Sequence, residues 1–130
     1  MNIGTASERS NLPPKTIRYY EDIALVSPQR STNGYRDYSD ADVHRLRFLQ
    51  RARSLGFTIE ECRLLLSLYQ DKERASADVK RIALEKVKEM DAKIVELRSL
   101  RQTLASLAEH CHGDDRPECP IINDLAGKKG

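Results

Sequence analysis

Two cysteines near the end of the chain, Cys111 and Cys119, are the residues whose type and spacing best support chemistry. They enclose residues 112–118, whose glycine, proline and charged side chains predict a loop. The spacing lacks the C-x₂-C pairs of a four-ligand zinc site, and a hard cation would require oxygen ligands. Two thiolates suit a soft ion that accepts near-linear, two-coordinate binding, chiefly Cu(I), Ag(I) or Au(I). The pair therefore predicts a soft-metal site.

The same two thiols allow other interpretations. They could form a reversible disulfide and act as a redox switch, or they could be unreactive. His110 and His112 flank the first cysteine and are interpreted as solvated loop residues, with His112 also a candidate ligand or partner of a ligand. Cys62 lies among leucines on a predicted helix and is expected to be a small core residue.

A long helical pattern must position this loop. It begins at Ser76, a predicted N-cap, and runs to about Ala108. A helix of roughly 30 residues is about 45–50 Å long and cannot fold back on so small a domain. Its seam repeats in alternating steps of four and three, which predicts a dimeric coiled coil. That seam consists of Ala83, Val87, Met90, Ile94, Leu97, Arg101, Leu104 and Ala108. After the loop, residues 120–125 predict one or two helical turns, and residues 126–130 a frayed tail.

The first half of the chain has the pattern of a DNA-binding unit. A helix over residues 3–10, a turn at Asn11 and a second helix from Pro13 or Pro14 predict a helix-turn-helix. The second helix carries side chains that suit guanine edges and phosphates, namely Lys15, Thr16, Arg18 and Tyr19. Asn33-Gly34 predicts a β-hairpin with a type I′ turn, which would form a wing beside that helix.

Two more helices are predicted from their capping residues. Ser39 with Asp42, and Thr58 with Glu61, form capping-box patterns, and Gly56 is expected to end the helix between them. The apolar positions that should face the core of the first of these helices are Val43, Leu46, Leu49 and Ala52. Tyr20 and Tyr38 are also expected in the core.

Charge and composition narrow the class of protein. The chain carries a net charge of +2, but residues 1–56 hold nine Lys/Arg against six Asp/Glu, which places the excess positive charge on the predicted DNA-binding unit. No signal peptide or membrane-spanning stretch is visible, which predicts a cytoplasmic protein with reduced thiols. No nucleophile–base pair or phosphate-binding glycine loop is visible, so an enzyme is not expected.

Three segments together resemble the MerR family of transcription regulators. They are Thr16-Ile17-Arg18-Tyr19-Tyr20-Glu21, then Asn33-Gly34-Tyr35-Arg36 followed by Tyr38, and Leu55-Gly56-Phe57. Ser76 to Lys80, and the Cys111–Cys119 loop followed by Pro120, resemble the copper-efflux (CueR-type) branch of that family. One departure is Ala24, which stands where family members usually have glycine. Alanine in a left-handed conformation costs about 1 kcal/mol, so a different local geometry is expected there.

The resemblance implies a mainly α fold with three parts. A winged helix-turn-helix DNA-binding domain would occupy residues 1–70, a dimerisation helix residues 76–108, and a metal-binding loop with a short helix residues 109–130. The wing residues Asn33, Tyr35 and Arg36 would contact the DNA backbone.

The resemblance also implies that a partner subunit's helix lies near the thiol loop. Ser76 and Lys80 would then border the metal. Relatives that sense divalent ions or mercury are expected to carry a cysteine where Ser76 stands, so serine favours a monovalent ion. Lys80 and the helix dipole could offset the negative charge of a bis-thiolate site.

The implied function is a homodimeric, Cu(I)-responsive transcription activator. It would bind double-stranded promoter DNA and distort it until RNA polymerase can use promoter elements that are set too far apart. Copper-efflux and copper-homeostasis genes are the expected targets. The alternatives are a thiol redox regulator, an iron–sulfur regulator, which would be expected to need four cysteines where this chain has three, and a drug-binding regulator. A drug-binding pocket is disfavoured because Tyr69 is the one aromatic residue after Phe57.

Overall fold

The computed structural model describes residues 1–127 and is mainly helical, as predicted. Its elements in chain order are α1 (Ile3–Ser10), α2 (Pro14–Asp22), β1 (Gln29–Arg30), β2 (Arg36–Asp37), α3 (Asp40–Ser54), α4 (Ile59–Gln70), α5 (Ser76–Glu109) and α6 (Pro120–Leu125). The chain forms two compact units, the first comprising Met1–Lys80 and the second beginning at Arg81, inside α5. The functional division into residues 1–70, 76–108 and 109–130 stays a prediction. The predicted frayed tail lies partly outside the described residues.

Local chemistry explains the helix-turn-helix. The Asn2 side chain accepts a hydrogen bond from the backbone of Thr5 at 2.9 Å and so caps α1. Asn11 adopts φ 59°, a left-handed conformation that asparagine tolerates better than most residues. Pro14 is the first residue of α2, where its missing N–H costs no helical hydrogen bond. The predicted helix over residues 3–10, the turn at Asn11 and the start of the second helix are therefore confirmed.

Reciprocal caps begin α3 and α4. In each, the hydroxyl of Ser39 or Thr58 accepts from the backbone three residues on, while Asp42 or Glu61 accepts from the backbone of the capping residue. Gly56 follows α3 with φ 93°, a conformation that strains other residues. The side chains predicted to lie in the core are buried, namely Tyr20, Tyr38, Val43, Leu46, Leu49, Ala52 and Cys62. Ile17 is buried as well.

The predicted wing is present, but the prediction that it closes with a type I′ turn is wrong. β1 and β2 pair antiparallel, with Arg30 opposite Arg36. Of the described non-glycine residues only Asn11 and Ala24 have positive φ, so Asn33 does not adopt the conformation that a type I′ turn requires. Instead the Gly34 N–H donates to Ser31 O at 2.9 Å, and within residues 31–35 only Gly34 has positive φ, at 84°. The connection between β1 and β2 is therefore longer than a two-residue turn, and the Ser31 N–H closes it by donating to Tyr35 O at 2.8 Å.

Ala24 retains the backbone conformation that favours glycine. Its φ is 58°, so the expected change of local geometry does not occur. The Ala24 N–H donates to Glu21 O at 3.0 Å, and Leu25 N donates to Tyr20 O at 2.8 Å. These bonds turn the chain after α2 and hold the strained residue in place.

The helix α5 is 34 residues long and begins at Ser76. Ser76 is therefore its first helical residue, and the prediction that it is the N-cap is wrong by one position. Large apolar side chains of the predicted seam are exposed to solvent in the single chain, namely Val87, Met90, Ile94, Leu97 and Leu104. None of the described helices combines the length and apolar character that crossing a lipid bilayer requires.

Candidate functional site

The two thiols of the predicted metal site lie together. Cys111 follows the end of α5, where its N–H donates to Ala108 O at 3.1 Å. Cys119 is the N-cap of α6, and its carbonyl accepts from Asn123 N at 3.1 Å. The two Sγ atoms are 3.1 Å apart, and both residues are half-buried. Two helix ends therefore bring the sulfur atoms into contact across the loop.

This separation leaves both sulfurs free of a covalent partner. A disulfide requires about 2.05 Å, so closure would shorten the distance by roughly 1 Å. A soft ion held by both thiolates would lie between them, so the sulfurs would have to move further apart than 3.1 Å. Both displacements are within reach of a loop, and the donor set fits a soft ion.

The environment of Cys119 favours its thiolate. The pKa of Cys119 is lowered, first because the Cys111 thiol hydrogen-bonds to it and second because the backbone N–H of Ile122 does so, with a smaller contribution from Ile121. Partial desolvation opposes these effects. A thiolate is the form that binds metal, so this environment suits the ligand role that the sequence predicts for Cys119.

The loop has its own internal constraint. The Arg116 backbone N–H donates to Asp114 Oδ1 at 2.9 Å, and its guanidinium contacts Asp114 Oδ2 at 2.8–2.9 Å. Gly113 has φ 68°, which lets the chain turn directly after α5. The pKa of Asp114 is lowered because Arg116 hydrogen-bonds to its carboxylate. These contacts constrain the Asp114–Arg116 part of the loop between the cysteines.

The nearby histidines do not complete a larger site. His110 Nδ1 lies 2.7 Å from Ser106 O, so that ring bonds back along α5. His112 is exposed. Among residues 1–127 no group of three or more His, Cys, Asp or Glu side chains is arranged to hold a metal. Ser76 and Lys80 are exposed at the start of α5, and their role beside a partner's loop stays a prediction.

The predicted DNA-contacting residues of α2 share one face. Lys15, Arg18 and Tyr19 are exposed, and Thr16 is half-buried beside them, while Ile17 points into the core. This pattern follows from helical spacing, because residues three and four apart lie above one another. The surface carries two cations, a hydroxyl and a phenol, which are groups that suit DNA, and their contact with a groove stays a prediction.

The wing places its predicted contacts differently. Asn33 is exposed and Tyr35 is 75% exposed, which suits contact with a DNA backbone. Arg36 is half-buried and forms an ion pair with Glu21 of α2 through its Nε atom. The pKa of Arg36 is raised because the Glu21 carboxylate accepts its hydrogen bond. In the sequence Glu21 stands out only as the last residue of the Thr16–Glu21 motif, and no local pattern links it to Arg36, 15 residues further on.

Comparison with known families accounts for nearly the whole chain. The family model described as MerR HTH family regulatory protein matches residues 1–68, and the model described as MerR, DNA binding matches residues 43–107. The fold, the wing and the long helix are those that the resemblance implied. The chain belongs to the MerR family of helix-turn-helix regulatory proteins.

Named relatives are similar over almost their full length. The HTH-type transcriptional regulator HmrR of Rhizobium leguminosarum bv. viciae is 65% identical over 126 residues, which cover 97% of this chain and 98% of that protein. Heavy metal-dependent transcription regulator 2 of Rhizobium meliloti is 54% identical, with 97% and 86% covered. The HTH-type transcriptional regulator CueR of Salmonella typhimurium is 48% identical, with 98% and 93% covered.

Solved structures show the same fold. PbrR691 from Ralstonia metallidurans CH34, in complex with lead(II), aligns with a TM-score of 0.82 at 31% identity and covers 96% of this chain and 98% of its own. MerR from Bacillus megaterium MB1, in complex with mercury(II), aligns with a TM-score of 0.70 at 33% identity, with 97% and 99% covered. The predicted family and fold class are therefore confirmed.

Proposed function

We propose that this chain is a cytoplasmic, homodimeric transcription activator that binds promoter DNA and responds to Cu(I), with Ag(I) or Au(I) as related effectors. The observation that carries the proposal is the contact between the Cys111 and Cys119 sulfurs at 3.1 Å. Two adjacent thiols without a third donor in the described loop suit a soft ion of low coordination number.

The relatives support a metal effector without fixing which one. Their names include a heavy metal-dependent regulator and CueR, while solved relatives hold lead(II) or mercury(II). The number of metal-binding side chains therefore has to decide which ion this chain binds. Ser76 supplies an oxygen where the resemblance implies a cysteine in sensors of divalent ions or mercury. We choose a monovalent ion because serine, not cysteine, stands at position 76 and because only two sulfurs form the pair.

Dimerisation supplies the second half of a DNA-binding unit. The exposed seam of α5, which includes Val87, Ile94 and Leu97, is apolar surface that a single chain leaves in water. Pairing two such helices buries it and presents two copies of α2 and of the wing to a two-fold symmetric operator. A metal that binds the activating arrangement more tightly than the repressing one would shift the dimer toward distorted promoter DNA.

In vitro transcription is the decisive test. The purified protein, the native promoter and RNA polymerase should be assayed with Cu(I), Ag(I), Zn(II) and Hg(II) titrated separately. We expect activation by Cu(I) and Ag(I), none by Zn(II), and loss of activation in Cys111→Ser. Cys62→Ser is the control, because that thiol is buried in the core of the first unit and is not one of the two predicted ligands. Equal activation by Zn(II), or full copper response in Cys111→Ser, would refute the proposal.

A second candidate function is a thiol redox switch. The same sulfur contact favours it, since a closure of roughly 1 Å would form a disulfide. Mass spectrometry of protein treated with peroxide would show a loss of two hydrogens from the Cys111–Cys119 peptide. Transcription that follows this mass change and ignores Cu(I) would replace the metal proposal.

A further inference from the structure

Glu21 joins the two parts of the DNA-binding surface. It lies in the last turn of α2, and its side chain is only 17% exposed. One carboxylate oxygen accepts the hydrogen bond of Arg36 Nε, and the other lies 4.0 Å from Arg30 Nη2. Arg30 belongs to β1 and Arg36 to β2, so one carboxylate of the helix contacts both strands of the wing.

We infer that Glu21 is a positioning residue that fastens the wing to α2, so that both elements meet DNA in one fixed arrangement. This inference rests on the proposed DNA binding. Glu21 itself is negatively charged and would not attract phosphate. It acts through Arg36 and, next to it, the exposed Tyr35.

The wing needs such a connection because it is short. β1 and β2 contain two residues each, and an isolated two-stranded hairpin is marginally stable in water. A fixed wing retains fewer conformations before binding, which lowers the entropy that is lost when it meets DNA. The ion pair with Glu21 is half-buried, so it is less screened than one at the open surface.

Glu21 also occupies a position that helix electrostatics disfavours. The C-terminal end of a helix carries partial negative charge, and the last turn of α2 has no basic residue. A carboxylate there is unfavourable unless cations outside the helix compensate for it. Arg30 and Arg36 of the wing provide that compensation. Their charges explain why a glutamate is tolerated at the C-terminal end of α2.

The adjacent residue Asp22 offers a matched control. It has the same charge in the same helical turn, but it is exposed and shares the helical face of Lys15, Arg18 and Tyr19. Simple electrostatics predicts that removing either carboxylate reduces repulsion of phosphate and tightens DNA binding. If Glu21 fastens the wing to α2, its removal should instead weaken DNA binding, because the wing is then no longer held in place.

The experiment measures binding of the full-length dimer to a labelled duplex of the native promoter at several salt concentrations. The variants are Glu21→Gln, Glu21→Asp, Asp22→Asn and Arg36→Gln, with circular dichroism to check folding. Glu21→Asp keeps the charge and shortens its reach by one methylene. We expect Glu21→Gln and Glu21→Asp to weaken DNA binding roughly tenfold, which corresponds to the loss of about one charge-assisted contact. We expect Asp22→Asn to tighten DNA binding.

Two further readouts distinguish a tether from general loss of structure. Hydroxyl-radical footprints of Glu21→Gln should lose protection where the wing contacts DNA and keep it where α2 does. The effects of Glu21→Gln and Arg36→Gln should be smaller together than their sum, because they break one interaction.

Each outcome decides the inference. Tighter binding by Glu21→Gln, like that of Asp22→Asn, would overturn the tether while leaving DNA binding intact. Additive effects with Arg36→Gln, or uniform loss of the footprint, would also overturn it. A wild-type protein that binds the promoter no better than unrelated DNA, with Arg18→Ala unchanged, would instead overturn the proposed function and the tether with it.

Discussion

Tyr38 provides a sharp test of the packing in the first unit. Its side chain is 1% exposed, and its hydroxyl has no hydrogen-bond partner among residues 1–127. A buried polar group without a partner costs about 1–3 kcal/mol relative to water. Tyr38→Phe removes the hydroxyl and keeps the ring, so we expect it to stabilise the protein.

The expected gain is about 1 kcal/mol, the lower end of that cost, because the neighbouring charges of Glu21, Arg36 and Arg18 still interact with the hydroxyl. For a unit of 80 residues, Met1–Lys80, this corresponds to an increase in melting temperature of about 4–8 °C. Urea unfolding followed by circular dichroism at fixed protein concentration measures the free energy directly. Tyr35→Phe, at an exposed ring, is the control and should change stability by less than about 0.5 kcal/mol.

The same substitution has a predictable pH dependence. Burial raises the pKa of Tyr38 above its ordinary value of 10.0. Above pH 10 the unfolded chain therefore loses the phenol proton more readily than the folded one, and stability falls as pH rises toward the folded pKa. Tyr38→Phe removes this contribution, so its advantage over wild type should grow above pH 10. A variant less stable than wild type at pH 7, or an advantage that shrinks above pH 10, would refute the reasoning.

Three other predictions follow from single residues. Ala24→Gly should raise the free energy of unfolding by about 0.5–1 kcal/mol in urea titrations, because glycine relieves the strain of φ 58°; no gain would show that Ala24 is unstrained. Iodoacetamide at neutral pH should label metal-free protein at Cys119 several-fold faster than at Cys111, since the Cys119 pKa is lowered; peptide mass mapping that finds the reverse order would contradict this. Leu97→Asp should convert a dimer to a monomer in sedimentation analysis. Val95→Asp, which is as exposed but outside the seam, should not, and identical behaviour of the two would exclude the predicted seam.

Features determined by neighbouring residues could be predicted from the sequence. The capping boxes at Ser39 and Thr58 depend on contacts three residues apart, and both formed as expected. The wing was predicted correctly from Asn33-Gly34, but the predicted type I′ turn was wrong, because the connection between the strands is longer than that dipeptide alone. Tertiary pairing decides that length, and no local propensity encodes it.

The candidate site shows the same limit. The spacing of Cys111 and Cys119 predicted a loop, and the loop is present. The 3.1 Å separation of the sulfurs depends on where α5 ends and α6 begins, which the pattern gave only approximately. Arg36 was predicted to contact DNA, and its ion pair with Glu21 could not be inferred because helix and wing are brought together only by the fold.

The position of the exposed seam on α5 has a genetic consequence. The apolar residues Val87 to Leu104 lie before Cys111 in the chain and do not include either thiol. In the proposed dimer, a subunit that has lost one cysteine would therefore still associate with an intact one. Cells expressing both alleles would contain mixed pairs with one working loop, and if activation needs both, an excess of the damaged chain would silence the intact copy.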